Sequence, residues 1–424
     1  MGIPNMKEGV PMDRAFLDRY ADVLLAAVNL QPGQNLLVRG EPVHQDFAAI
    51  IAERAYKNGA RYVRFDSNEI ENPFMYRARI EHSRPEHLAY VPQFRKDTLK
   101  TMIDEDWALI AIRTPEDPEF LARLDQERNA AAAKATATAM RPYQSRISNN
   151  EIAWLVAFYP TEKLAAKIMD MAAGPAAVEA LWALLIPILR LDHADPAAFW
   201  VGHGQTLAAR ADKLNSLRLD RVRFKGPGTD LSIGLMKGSI WHGGPSKTHT
   251  GRVFAPNIPT EEVFTSPDFR RTEGRVAFTC PVFVPTVGKT VIGGWLEFKG
   301  GKVVNYGAKE GKDVLDVYLA MDDGARFLGE VALVDTESPI FKAQRVFYNI
   351  LFDENASCHI ALGSAYPGCV QGGEAMGEDE LKAAGANASA VHTDFMIGSP
   401  LVEVSGFTAD GRELPIITAG KFTI

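Results

Sequence analysis

Three cysteines in 424 residues, Cys280, Cys358 and Cys369, are too few for a disulfide framework, and no two stand at Cys-x-x-Cys spacing. Reduced thiols in a cytosol are therefore expected. No apolar run reaches the length that crosses a bilayer, and residues 1–8 lack the apolar stretch of a secretory signal, so the reading is of a cytoplasmic protein with no membrane partner. Clustered positive charge is missing as well. The 46 Lys and Arg against 53 Asp and Glu leave a net charge of -7 without a basic run that would track a phosphate backbone, which argues against nucleic acid as a partner. A phosphate-binding glycine loop is absent too. Its nearest approach, Gly226-Pro227-Gly228-Thr229-Asp230-Leu231, lacks a third glycine, carries a proline and leads into a strand-like pattern, so it reads as a hairpin turn. A nucleotide-dependent enzyme finds no support.

What the chain does have is length for two domains and two different textures. In the first half, helical spacing over 17–29 gives way to a turn at Gln31-Pro32-Gly33-Gln34 and a strand at 35–39. A helix over 47–56 and a strand at 61–65 follow. Further strands at 107–112 and 152–158 and a long Ala-rich helix over 119–139 complete a strand, helix, strand order, which predicts an open, mainly parallel α/β sheet. Helical patterns run from 161 to 215. Beyond 216 the texture becomes glycine-rich and alternating, with strands expected at 217–224, 230–235, 275–278, 291–298, 302–306, 330–334 and 401–404. The fold class is therefore α/β: an N-terminal domain over 1–215 and a mixed α+β, strand-rich catalytic domain over 216–424.

The chemistry lies in that second half. Residues 352–363, F-D-E-N-A-S-C-H-I-A-L-G, followed by His392-Thr393-Asp394, gather two imidazoles and several carboxylates. Such a set holds a hard or borderline divalent ion and its water, and so points to a metal-dependent hydrolase. Glu330 interrupts an otherwise buried pattern over 326–334, where a carboxylate needs a cationic partner, either a metal or a Lys or Arg. His392 and Asp394, two apart, share one face of a strand. Glu354 and His359, five apart, reach a site only through a turn. Glu261-Glu262 admits two readings: an extended segment with one glutamate facing a site, or a short helix capped by Thr260. Tyr366 is a donor to a developing oxyanion or an ordinary packing residue before a proline. Cys358 reads as a small buried filler rather than a nucleophile.

With these residues in view, the chain resembles the thermophilic metallo-aminopeptidases, two-metal exopeptidases of the aminopeptidase T and aminopeptidase S type, leucyl aminopeptidase-like in activity. The resemblance rests on N-I-P-T-E-E-V-F-T at 257–265, Gly329-Glu330, residues 352–363 with Tyr366, and H-T-D-F-M-I-G at 392–398, together with K-G-P-G-T-D-L at 225–231. It covers nearly the whole chain and is more diffuse in the N-terminal half. It implies metal ligands at Glu262, Glu330, Glu354, His359, His392 and Asp394, with Glu262 chosen over Glu261, and catalytic roles for Tyr366 and Glu330. Glu330 or Asp394 would bridge the ions. It further implies two divalent ions per subunit, zinc or cobalt with manganese or magnesium as alternatives, peptide substrates with a free N-terminus, and a homodimer. Two other readings stand beside it: a metal hydrolase of another amide or ester, and a non-catalytic binding protein.

Overall fold

The computed structural model describes residues 14–67 and 72–424, so the N-terminal stretch 1–8 discussed above lies outside the described residues. Contacts divide the chain into two units: Met1–Gly202 with Pro245–Pro259, and His203–Gly244 with Thr260–Ile424.

In the first unit, α1 (Arg14–Ala27), β1 (Asn35–Arg39), α2 (Gln45–Lys57), β2 (Tyr62–Asp66), α3 (Pro73–His82), α4 (Gln93–Asp104), β3 (Ala108–Ile112), α5 (Gln126–Ser148) and β4 (Trp154–Ala157) follow one another. The four strands pair in parallel in the order β2-β1-β3-β4, the open sheet that the strand, helix, strand order predicts. Both β1 and β3 are buried along their whole length, which is why they read as continuous apolar runs rather than alternating ones. The Ala-rich helix starts later than its composition suggests. Asp125 caps it by accepting from the Arg128 N–H at 3.0 Å, and it runs on past Pro142 to Ser148. Helices α3 and α4 have no counterpart in the sequence pattern. They bury only Tyr76 and Ile80, and Leu99, Met102 and Ile103, too few for a legible 3.6-residue period.

Helices α6 (Glu162–Met169), α7 (Pro175–Ile188) and α8 (Pro196–Leu217) lead toward the second unit. The division falls inside α8 at 202/203, whereas the change of texture marks only that helix's end near 215. Strands β5 (Leu219–Gly226) and β6 (Thr229–Leu235) form the expected hairpin. Gly226 pairs with Thr229 across Pro227-Gly228, and Gly228 takes φ 72°, the left-handed conformation open to glycine. After β7 (His242–Gly243) the chain returns to the first unit with the short pair β8 (Ser246–Lys247) and β9 (Val253–Phe254). There Val156 N–H donates to the Pro256 carbonyl at 2.8 Å and extends the pairing at β4, a membership that local composition does not reveal.

The second unit continues with β10 (Glu262–Thr265), β11 (Pro267–Ala277), β12 (Val282–Val284), β13 (Lys289–Val291), β14 (Trp295–Lys299), β15 (Lys302–Gly307), β16 (Leu328–Val334), β17 (His359–Gly363), β18 (His392–Met396), β19 (Glu403–Thr408), β20 (Glu413–Thr418) and β21 (Lys421–Phe422). The single strand expected over 291–298 is broken at Gly293-Gly294 into the ends of β13 and β14. Beside the antiparallel pair β12-β13, two larger antiparallel sheets result, one ordered β15-β14-β11-β6-β5-β19-β20-β21 and the other β18-β17-β16-β10-β7. Val222, Phe224, Leu231, Ile233 and Leu296 of the first share one buried core with Val263, Val331, Leu333, Ile360, Leu362 and Phe395 of the second. Each residue drawn from β10, β16, β17 and β18 is followed or preceded by one whose side chain faces away from that core. Among the described residues no helix is long and apolar enough to cross a membrane.

Gly329, ahead of Glu330, sits against another segment so closely that a Cβ would lie 2.2 Å from the Ser364 carbonyl oxygen and 2.5 Å from that of Gly363. Both obstacles are backbone and cannot swing aside. Gly329→Ala is expected to destabilise the protein by about 1–3 kcal/mol through overpacking, read as a lower urea midpoint at unchanged slope.

Candidate metal centre

The face of the five-stranded sheet turned from the core carries the polar residues. Register aligns Glu330 with Ala361 and Ala361 with Asp394, so two carboxylates flank one methyl group across three strands. His359, two residues from Ala361, pairs with Ala332, and His392 pairs with Gly363. Glu262, at the start of β10, pairs with Val334. The small side chains at 332, 361 and 363 leave room on this face, and the larger functional groups converge over it. Residues 359–363 form a strand, and a 3₁₀ turn at Glu354–Ala356 separates Glu354 from His359, as their five-residue spacing suggested. In H-I-A-L-G the large residues Ile360 and Leu362 face the core, while His359, Ala361 and Gly363 face the site.

The distances are those of a shared centre. His359 Nε2 lies 3.2 Å from Glu262 Oε2 and 4.0 Å from Asp394 Oδ1, and His392 Nε2 lies 3.1 Å from Glu330 Oε2 and 3.5 Å from Asp394 Oδ1. Two overlapping donor groups follow, Glu262-Glu330-His359 and Glu330-His392-Asp394, each with ligand atoms within 4.8 Å of one another. Both histidines are oriented from behind. His359 Nδ1 meets the Ser357 carbonyl at 3.1 Å and His392 Nδ1 the Ser364 carbonyl at 2.8 Å, which places the proton on Nδ1 and leaves each Nε2 lone pair facing the carboxylates. Glu262 Oε2 is buried, with the His359 Nε2 atom facing it. An imidazole lone pair set against buried carboxylate oxygens is stable only with a proton or a cation between them, and the donor set suits a divalent ion.

The electrostatics carry the same signature. Burial, with the charges of Asp394 and Glu262, raises the Glu330 carboxyl to about 6 despite its bond to His392. Burial and the charges of Glu262, Asp394 and Glu330 push Glu354 well above the ordinary glutamate range. Burial opposes the imidazolium form of His359, yet Glu262, Asp394 and Glu330 outweigh it and bring His359 to about 9. His392 is likewise raised against burial by Asp394 and Glu330, while Asp394 alone is lowered, the two histidines overcoming its burial. In the absence of a cation, protons take its place.

The remaining expected residues are also accounted for. Glu354 occupies a short 3₁₀ turn beside the cluster, outside both donor groups but within their field. Of the adjacent glutamates, Glu262 points into the cluster and Glu261 stands 3.2 Å from His203 Nε2; the segment is extended, with no helix capped by Thr260. Glu330 meets His392 rather than a lysine or arginine. The Tyr366 hydroxyl lies 3.4 Å from His392 Nε2, and burial together with the charges of Glu330 and Asp394 raises the phenol well above its usual pKa. Cys358 is buried, its thiol pushed up to about 12 by burial, and so is no nucleophile. Sequence reasoning passed over Asn355, His203 and Ala361. Only Ala361 left a signal, in the large-small alternation of its strand.

The family model for the thermophilic metalloproteases (M29) matches residues 13–422. The chain belongs to that family. It is accordingly a metallopeptidase that depends on divalent metal. Similar proteins include aminopeptidase 2 of Geobacillus stearothermophilus, 37% identical over 407 residues that span 96% of this chain and 97% of that one. Aminopeptidase T of Thermus aquaticus is 37% identical across 96% of this chain and 98% of its own, and aminopeptidase PepS of Streptococcus thermophilus 35% identical across all of both. The solved structure of wild-type AmpT from Thermus thermophilus superimposes with a TM-score of 0.88 at 34% identity, covering 97% of this chain and 100% of that one.

A pH dependence follows for this M29 chain stripped of metal. Groups whose pKa is raised on folding contribute stability that is complete below their unfolded values and is lost as pH rises through the folded ones. For Glu330, Glu354, His359 and His392 that window runs from the ordinary glutamate value of 4.5 to about 9, and only Asp394 opposes it, at the acid end. Thermal denaturation in chelator is therefore expected to show Tm falling toward alkaline pH, with added divalent ion restoring most at the alkaline end. Equal ion-induced shifts at pH 5 and pH 9 would contradict this account.

Proposed function

We propose that this metallopeptidase is an aminopeptidase that removes the N-terminal residue of short peptides with two divalent cations held by Glu262, Glu330, Glu354, His359, His392 and Asp394. The observation that carries the reading is the pair of donor groups sharing Glu330. A shared carboxylate suits a bridging role, with Asp394 beside both imidazoles. Four ionised carboxylates and two neutral imidazoles carry a formal charge of -4, which two divalent ions balance. Mixed nitrogen and oxygen donors suit zinc or cobalt, with manganese and magnesium as alternatives. The aminopeptidase names of the relatives point the same way. The chemistry such ions supply when bound is polarisation of the scissile carbonyl and a lowered pKa for water.

The chain's own groups do the rest. A free N-terminus offers what an internal peptide bond lacks, a neutral amine with a lone pair for a cation or an ammonium for a neighbouring carboxylate. Ser357 and Ser364 carbonyls hold the two imidazoles in orientation. Tyr366, whose hydroxyl lies against His392 at the edge of the cluster, would donate its hydroxyl proton in a hydrogen bond to the developing oxyanion. The proposal includes a homodimer, to be tested by light scattering.

The decisive experiment compares peptides with free and N-acetylated termini after chelation and metal restoration. Turnover confined to the free termini supports the reading, and equal turnover of both moves it to another amide or ester hydrolase. Tyr366→Phe should lower kcat by about 10²- to 10³-fold, with KM little changed. A variant as active as wild type would remove the phenol from the mechanism. His359→Ala should lose metal-dependent turnover with its circular dichroism intact, and full metal content in that variant would exclude His359 as a ligand.

A further inference from the structure

Of the six groups assigned to the centre, five stand on strands and Glu354 alone does not. It lies on a single 3₁₀ turn between the short helix α9 (Ile350–Asp353) and β17, so no ladder of backbone hydrogen bonds fixes its carboxylate. The next residue supplies what the ladder lacks. Asn355 is fully buried, and each polar atom of its amide is engaged. Oδ1 accepts the Glu261 N–H at 2.6 Å, at the entry to the strand that carries Glu262. Nδ2 donates to the Leu351 carbonyl at 2.9 Å and, at 3.4 Å, to Glu354 Oε1. The Asn355 carbonyl in turn accepts the Ser338 hydroxyl at 2.9 Å. One planar group thus touches the Glu354 carboxylate at one end and the Glu262 strand at the other. The far side of that strand entry is also held, by Glu261 against His203.

We infer that Asn355 is a positioning residue of the metal centre, setting the Glu354 carboxylate relative to Glu262 through its side-chain amide. The inference rests on the two-ion reading above and deepens it. The amide's two ends differ in kind, and that is why asparagine suits the place. An N–H must face the carboxylate and an oxygen must face the backbone N–H, which neither aspartate nor leucine of similar size provides. Glu354 sits in the field of three other carboxylates that repel it, and a donor fixed by burial on all sides resists that displacement.

The test is a calorimetric titration of cobalt chloride into chelator-treated protein, with the Tm of the metal-free form measured in parallel. Asn355→Ala is expected to weaken cobalt affinity by about 10- to 100-fold, the usual effect of losing a group that orients a ligand, and to alter the visible spectrum of the bound cobalt. Glu354→Gln should weaken it too, and adding Asn355→Ala to Glu354→Gln should produce no further loss, because the asparagine acts through that glutamate. Ser338→Ala, which removes the bond to the Asn355 carbonyl along with the cap that Ser338 gives the Ile340 N–H, should give a smaller loss in the same direction and serves if Asn355→Ala does not fold. A variant with lowered Tm but wild-type cobalt affinity and spectrum, or losses that add fully in the double variant, would overturn the assignment. Wild-type protein that takes up no cobalt would instead overturn the two-ion reading itself.

Discussion

Four carboxylates crowded with two imidazoles on one face of a buried sheet cannot coexist uncompensated. Each ionised oxygen moved out of water carries a desolvation cost of several kcal/mol, and like charges a few ångströms apart add to it. The fold accepts this arrangement at Glu262, Glu330, Glu354 and Asp394, and among the described residues the ion pairs of Glu262, Glu330 and Asp394 are with the two histidines rather than with arginine or lysine. What remains to balance the charge is protons or metal cations. The raised pKa values of Glu330 and His359 and the buried Glu262 oxygen set against the His359 imidazole are two expressions of that one demand. The charge balance of the native sheet face is thus completed by protons at low pH or by cations, and the need for one or the other grows as pH rises.

The sheet makes this concentration of charge geometrically possible. Alternation along β10, β16, β17 and β18 assigns Val263, Val331, Leu333, Ile360, Leu362 and Phe395 to the core and leaves the intervening positions to the site. Because the period is two, shifting any of these strands by one residue would bury a carboxylate or an imidazole in the core and turn a large apolar residue toward the polar face. The apolar partners therefore fix the register of the proposed ligands. Ala361 matters for the same reason, since its methyl group is what separates Glu330 from Asp394 across the strands.

Much of this was readable beforehand, for stated reasons. Continuous apolar runs announced β1 and β3 because those strands are buried on both faces, and glycine-proline chemistry announced the β5–β6 hairpin. Glu330 stood out because a carboxylate within an apolar run needs an explanation, and His392-x-Asp394 because two residues make one strand face. Other features carried no local mark. Helices α3 and α4 bury too few residues to show a period, and residues 245–259 rejoin the first unit through pairings made far along the chain. That Glu262 rather than Glu261 enters the cluster depends on where β10 begins, and a capping motif at Thr260 would have been locally as good. Asn355 was invisible because its partners, Glu261 and Leu351, become neighbours only in the folded state.

The division of labour between strands and loops bears on how such a centre keeps its shape. Ligands on adjacent antiparallel strands are held by the sheet's own hydrogen bonds, so their mutual distances hardly depend on side-chain contacts behind them. A ligand on a turn has no such support, and the turn at Glu354 is accordingly enclosed by buried polar groups. Asp353, raised to about 7 by burial despite the backbone donors that favour its charged form, accepts from the N–H groups of Phe347 at 2.7 Å and Asn349 at 3.2 Å and closes the preceding loop. Asn355 closes the other side. Buried polar networks of this kind stabilise only when each member is satisfied, and an error in one transfers strain to the rest. The most irregular piece of backbone at the centre is thus also the one whose polar surroundings are most completely specified.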